Sequence, residues 1–145
     1  MGGLIAAYTV ARNSDVQGLV MIAAWNLGDR VSRPSPEGLD TFKNASPRLA
    51  GSTPEGLYDE AKAHGQQWNY VTYAEQLKSR PVLILEAKDA NTADNRAMAE
   101  ALRKAGDTQV AEKYMETNHV FSDHRIALQE AVLEWLGSLS APTPK

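Results

Sequence analysis

The sequence contains no cysteine, which excludes disulfides, thiolate metal sites and a cysteine nucleophile together. That absence leaves the compartment open, with the cytoplasm as the default. Residues 1–10 hold no basic residue and include two glycines, so the charged and apolar regions of a secretory signal are missing there. The longest apolar run, residues 18–25, falls short of the about 20 residues that cross a bilayer; no membrane anchor is expected. Charge is mixed in sign with a net of -3, and no Lys/Arg cluster exists that would neutralise a phosphate backbone. Nucleic acid is therefore not an expected partner. Internal repeats and low-complexity segments are lacking as well.

What remains is a chain of 145 residues, 43% hydrophobic and 23% charged, which fits one soluble domain with a proper core. Residues 4–12 favour a helix, ended by the turn formers Asn13, Ser14 and Asp15. The run VQGLVMIAAW at 16–25 is the pattern of a strand buried on both faces, as in a parallel sheet. Residues 26–51 are rich in Pro, Gly, Ser and Arg without any period, the mark of a long excursion. A helix is expected over 54–64, with Thr53 as N-cap, Pro54 at its first position and Gly65 past its end. A second, short helix is expected over 73–78.

Residues 81–87 (PVLILEA) read as another buried strand, followed by a polar loop and a helix from 93 or 94 to 105 that Gly106 stops. A more exposed strand over 110–115 leads through a polar loop to a last helix over 122–139. On that helix Ile126, Leu128, Val132, Leu133, Trp135 and Leu136 are expected to lie largely on one side. The fold class is therefore α/β, a partial doubly wound parallel sheet with a helical cap insertion. Its core comprises residues 1–25 and 80–139, the cap 26–79, and a frayed tail 140–145.

In an open parallel sheet, chemistry gathers at the carboxyl ends of the strands. Here those ends carry Lys88-Asp89-Ala90-Asn91 and Glu116-Thr117-Asn118-His119. If the two strands are neighbours, Asp89 can hold the His119 ring in one tautomer, which is the base-and-orienter half of a nucleophilic triad. Alone, an Asp past a strand is more often a turn former, and a loop His more often a solvated side chain; order and the intervening helix favour function. His124 competes as base but falls in the first turn of the last helix, where Ser122 or Asp123 caps it and added positive charge is disfavoured. His64, at the end of a cap helix, reads as structural. Asp89, His119, Asp123 and His124 lack recognised ligand spacings, so neither a metal nor another cofactor is expected. No serine follows a strand as a nucleophile does at a strand-turn-helix elbow.

Taken together, these residues resemble the C-terminal half of an α/β-hydrolase, in particular the serine aminopeptidase-like, dienelactone hydrolase-like and prolyl oligopeptidase-like branches. Met1-Gly2-Gly3 is similar to the end of the nucleophile elbow Gly-His-Ser-Met-Gly-Gly, and the stretch HVFSDHR at 119–125 to that around the catalytic His of some members. Nearly the whole chain is covered by the likeness. It implies a serine hydrolase of ester or peptide bonds, with Asp89 as acid, His119 as base, the Met1 backbone N–H in the oxyanion hole, and the nucleophile one residue upstream of Met1. Gly2 would permit the strained turn behind the nucleophile, and Gly3 the close packing of the following helix. Trp25 and Asn26, at the end of their strand, become pocket candidates, and the cap aromatics Tyr58, Trp68, Tyr70 and Tyr73 are either pocket or core.

The expected partners are a small ester or peptide substrate and the missing N-terminal half of the same fold. Alone, the chain is expected to be inactive and to be insoluble, partly folded or oligomeric, because residues 17–25 would form an open apolar edge. Two alternatives stand beside this reading: the same fold with a non-Ser nucleophile, and a non-catalytic, partner-dependent binding module.

Overall fold

A computed structural model describes residues 1–33, 39–40, 42–43 and 49–140. In chain order its elements are α1 (Gly2–Val10), β1 (Leu19–Ile22), α2 (Leu27–Ser32), α3 (Pro54–Ala63), a 3-10 turn (Tyr70–Tyr73), α4 (Ala74–Leu77), β2 (Val82–Ala87), α5 (Thr92–Lys104), β3 (Val110–Met115) and α6 (Arg125–Ser140). The strands form one three-stranded sheet in the order β1-β2-β3, parallel throughout. Residues 141–145 of the expected tail lie outside the described residues, as do 34–38, 41 and 44–48 of the cap.

β2 is the centre of the molecule, buried along its whole length. Its side chains alternate between two helical layers, as a strand's period of two requires. Val82 and Ile84 enter the larger core with α1, α5 and the cap, whereas Leu83, Leu85 and Ala87 pack beneath α6. Residues 70–77, in the stretch expected as a cap, belong to the same larger core through Tyr70, Tyr73, Ala74 and Leu77. At β1 the ladder is shorter than the apolar run 16–25: Gly18 lies against Pro81 and Trp135, and Ala23 turns away with φ +42°. Among the described residues, β1 pairs on one side only.

α1 starts at Gly2 rather than at residue 4, without a side-chain cap; the Met1 carbonyl accepts from the Leu4 and Ile5 amides at 3.1 and 3.3 Å. Gly3 has a packing role, since a β-carbon there would overlap that of Ala24. Gly2 differs from expectation, with open space around it and no left-handed φ. The excursion after β1 holds a helix that the sequence reading leaves out. α2 has only six residues, too few for a period, and is started by Asn26, whose side chain accepts from the Asp29 amide at 3.5 Å. α3 begins as expected, Thr53 capping the Gly56 amide at 3.1 Å with Pro54 next. Gly106, past the end of α5, takes the left-handed conformation at φ +95°.

The expectation for α6 is corrected. Leu128, Ala131, Val132 and Trp135 face the sheet, while Ile126, Leu133 and Leu136 are 73%, 67% and 46% exposed. At about 100° per residue, Ile126 and Leu133 lie roughly 140–160° round the helix from Leu128, so one sheet cannot cover both stripes. The helix itself begins at Arg125, and the cap is neither Ser122 nor Asp123: the His124 carbonyl accepts the Leu128 amide at 2.8 Å.

Candidate active site

β2 and β3 end in register, Ala87 opposite Met115, and the Lys88 amide donates to the Thr117 carbonyl at 2.9 Å just beyond. The two loops therefore leave the sheet side by side. In the first, Asp89 precedes α5 and its two carboxylate oxygens have separate tasks. Oδ1 accepts the Asn91 amide at 2.8 Å, closing the turn into α5, and Oδ2 lies 2.7 Å from His119 Nδ1. The turn-forming and ring-orienting readings of Asp89 are thus compatible. Asp89 is largely covered, its side chain 13% exposed, whereas that of His119 is 57% exposed.

Several side chains fix the second loop. The Asn118 side-chain oxygen accepts the Val120 and Ser122 amides, both at 3.2 Å, and Phe121 buries its ring beneath α6 from a backbone at φ +53°. A left-handed φ is uncommon in a non-glycine residue, and the burial of Phe121 offsets its cost. Thr117 donates its hydroxyl to Asp123, which, with His124 as a smaller cause, holds the Asp123 carboxyl below the usual Asp range. His124 Nδ1 stands 3.1 Å from Asp123 Oδ1 without hydrogen-bond geometry. The four residues weighed as a metal set thus occur as two pairs, Asp89–His119 and Asp123–His124. Among the described residues no group of three His, Asp or Glu is placed to hold a metal.

Asp89 and His119 open onto a groove of about 700 Å³ that runs past the end of β1 to the first residues of α1. Met1 and Trp25 line it, as do Ala23 and Asn91, which are joined by a 3.3 Å bond from the Asn91 side chain to the Ala23 carbonyl. No Ser or Thr side chain lines it among the described residues. Asn26 does not reach the groove. It is buried, receives an acceptor for its backbone N–H from Asp94 at 3.3 Å, and donates its side-chain amide to Asn69 at 2.8 Å. The cap aromatics are elsewhere too: Tyr70 and Tyr73 lie in the core, Tyr58 tilts against Phe42, and Trp68 stacks on His64 with ring centres 5.1 Å apart.

A buried polar cluster holds the end of β1 beneath the groove. Asn95 exchanges two hydrogen bonds with the backbone of Ala24, both at 3.1 Å, and the Tyr70 hydroxyl donates to the same Ala24 carbonyl at 3.3 Å. Burial raises the Tyr70 phenol above its ordinary range and raises the Asp94 carboxyl, the latter against the opposing Asn26 amide and Arg30. Sequence reasoning passed over Arg30, which also lines the groove; its nearest signal was the Asn26 cap that sets it one turn into α2.

Chemically, an imidazole held at Nδ1 by a carboxylate has its other nitrogen free to take and return a proton, and the carboxylate stabilises the imidazolium formed in between. Among the described residues His119 Nε2 has no protein partner. No protein-family model matches the chain, and no curated protein matches it.

Proposed function

We propose that the chain carries the acid–base part of a nucleophilic hydrolase site of the α/β-hydrolase type, cleaving esters or peptides through an acyl-enzyme. The 2.7 Å bond between His119 Nδ1 and Asp89 Oδ2, at the carboxyl ends of two adjacent parallel strands, is the observation that supports this best. His119 takes the proton from the attacking hydroxyl through Nε2 and returns it to the leaving group, and Asp89 keeps the ring in the required tautomer. Among the described residues the groove offers base, orienter and the backbone at the start of α1 but no hydroxyl. On this reading a residue outside these 145 supplies the nucleophile, and the Met1 N–H is one donor to the tetrahedral oxyanion.

Fluorophosphonate labelling provides the test. The product of the complete reading frame that contains this chain should label, and the 145-residue chain alone should not. His119→Ala in the longer product should slow labelling by on the order of 10⁶ while leaving its melt unchanged. Failure of the longer product to label, or labelling that survives His119→Ala, would falsify the assignment.

A further inference from the structure

Arg30 is the only Lys or Arg side chain lining the groove among the described residues. Its Nη2 stands 3.4 Å from the Ala90 carbonyl oxygen and 3.6 Å from Asp94 Oδ2. Asp89 and Ala90 are consecutive, so one short turn anchors the imidazole through Asp89 and the guanidinium through Ala90. Base and cation thus line the same groove. A guanidinium carries five N–H donors in a planar fork that matches a carboxylate. Both recorded contacts of Arg30 use Nη2, leaving Nε and Nη1 without a protein acceptor among the described residues; the side chain is 28% exposed.

Neutralising Asp94 would be a sufficient role for Arg30 if that ion pair were close and two-pronged. Instead it is long and single, and Asp94 already accepts the Asn26 amide. Burial disfavours the charged form of Asp94, and the single long contact through Nη2 leaves the rest of the guanidinium fork open to another anion.

We infer that the groove takes a substrate bearing a carboxylate, which Arg30 binds while the reacting carbonyl lies at His119. The inference rests on the hydrolase reading for the fate of that carbonyl, but carboxylate binding needs no nucleophile. It therefore stands or falls separately. A carboxylate of this kind comes either from the C-terminus of a peptide or from a simple organic acid.

Trp25 lines the groove and is one of three tryptophans, so Trp68→Phe with Trp135→Phe leaves it as sole fluorescence reporter in the full chain. Butanoate, N-acetylalanine and the neutral butanamide are titrated at constant ionic strength. At least one carboxylate should bind about tenfold or more tightly than butanamide, and which one does so distinguishes the acid from the peptide terminus. The preference should vanish in Arg30→Met combined with Asp94→Asn, a pair that leaves no unpaired buried charge, and should survive in part in Arg30→Lys. It should persist in His119→Ala, whatever the outcome of fluorophosphonate labelling. Equal binding of the three probes, no binding of any, or a preference that outlives the double substitution would overturn the inference.

Discussion

Gly3→Ala is expected to destabilise the protein, and to lose most of that effect once Ala24 is also changed to Gly. A β-carbon at Gly3 would overlap the Ala24 β-carbon and press on its α-carbon at 3.3 Å, so α1 must shift away from the end of β1. Overpacking of this kind costs about 1–3 kcal/mol. Against it stands the higher helix propensity of Ala, up to about 1 kcal/mol and less at the first turn. The net loss is then roughly 1–2 kcal/mol, or a fall in Tm of about 3–6 °C. In an Ala24→Gly background the β-carbon overlap is gone and only the 3.3 Å approach to the α-carbon opposes the gain in propensity, so Gly3→Ala should change stability there by less than about 1 kcal/mol. Urea denaturation of the four proteins at one low concentration measures the cycle. Equal effects of Gly3→Ala in both backgrounds would refute close packing of α1 on Ala24 as the reason for this glycine.

Gly28→Ala should be worse than Gly3→Ala and have no single-site rescue, because its β-carbon would overlap backbone atoms of Gly65, Trp68 and Asn69; loss of the near-ultraviolet signal of the cap aromatics reports it. Glu86 is buried, and that burial raises its carboxyl above the usual 4.5 despite Arg96. The folded state thus holds its proton to higher pH than the unfolded chain, and the stability of wild type relative to Glu86→Gln should fall as pH rises from 4.5 towards 7, read by urea melts at both ends. Asp123 has the opposite sign. Its contribution is present above its ordinary 3.8 and is lost as pH falls through the depressed value, so Thr117→Val should flatten the acid limb of the stability curve. Leu19 donates to the Pro81 carbonyl just before β2 and Ala23 to Leu85 within it, which by the period of two turns the Val20 and Ile22 amides towards the edge that is unpaired among the described residues. Ile22→Lys, at a residue 43% exposed there, should shift sedimentation towards monomer.

The strands and longer helices were legible because each has a signal within itself. β3 occupies residues 110–115 as its alternation indicated, and α3 starts where Thr53 and Pro54 place it. The encounter of Asp89 with His119 could be anticipated from two strand ends and an intervening helix, since a crossover makes such strands neighbours. What escaped depends on contacts across the chain. Arg30 meets Ala90 sixty residues away, and no local pattern links them. Asn26 looked like a pocket residue from its place after a strand, yet its partners Asn69 and Asp94 draw it into the interior. On α6, counting apolar residues could not tell which stripe the sheet would cover, and Ile126 and Leu133 stayed outside.

The role of Asp89 can be measured directly through the tautomer of His119. With ¹⁵N-labelled histidine, nitrogen NMR in solution or on the solid distinguishes which ring nitrogen carries the proton in the neutral imidazole. Nδ1 should be protonated and Nε2 bare in the wild-type chain, and Asp89→Asn should change that distribution. A His119 ring protonated at Nε2, or one indifferent to Asp89→Asn, would contradict the assignment of His119 as a base held by Asp89.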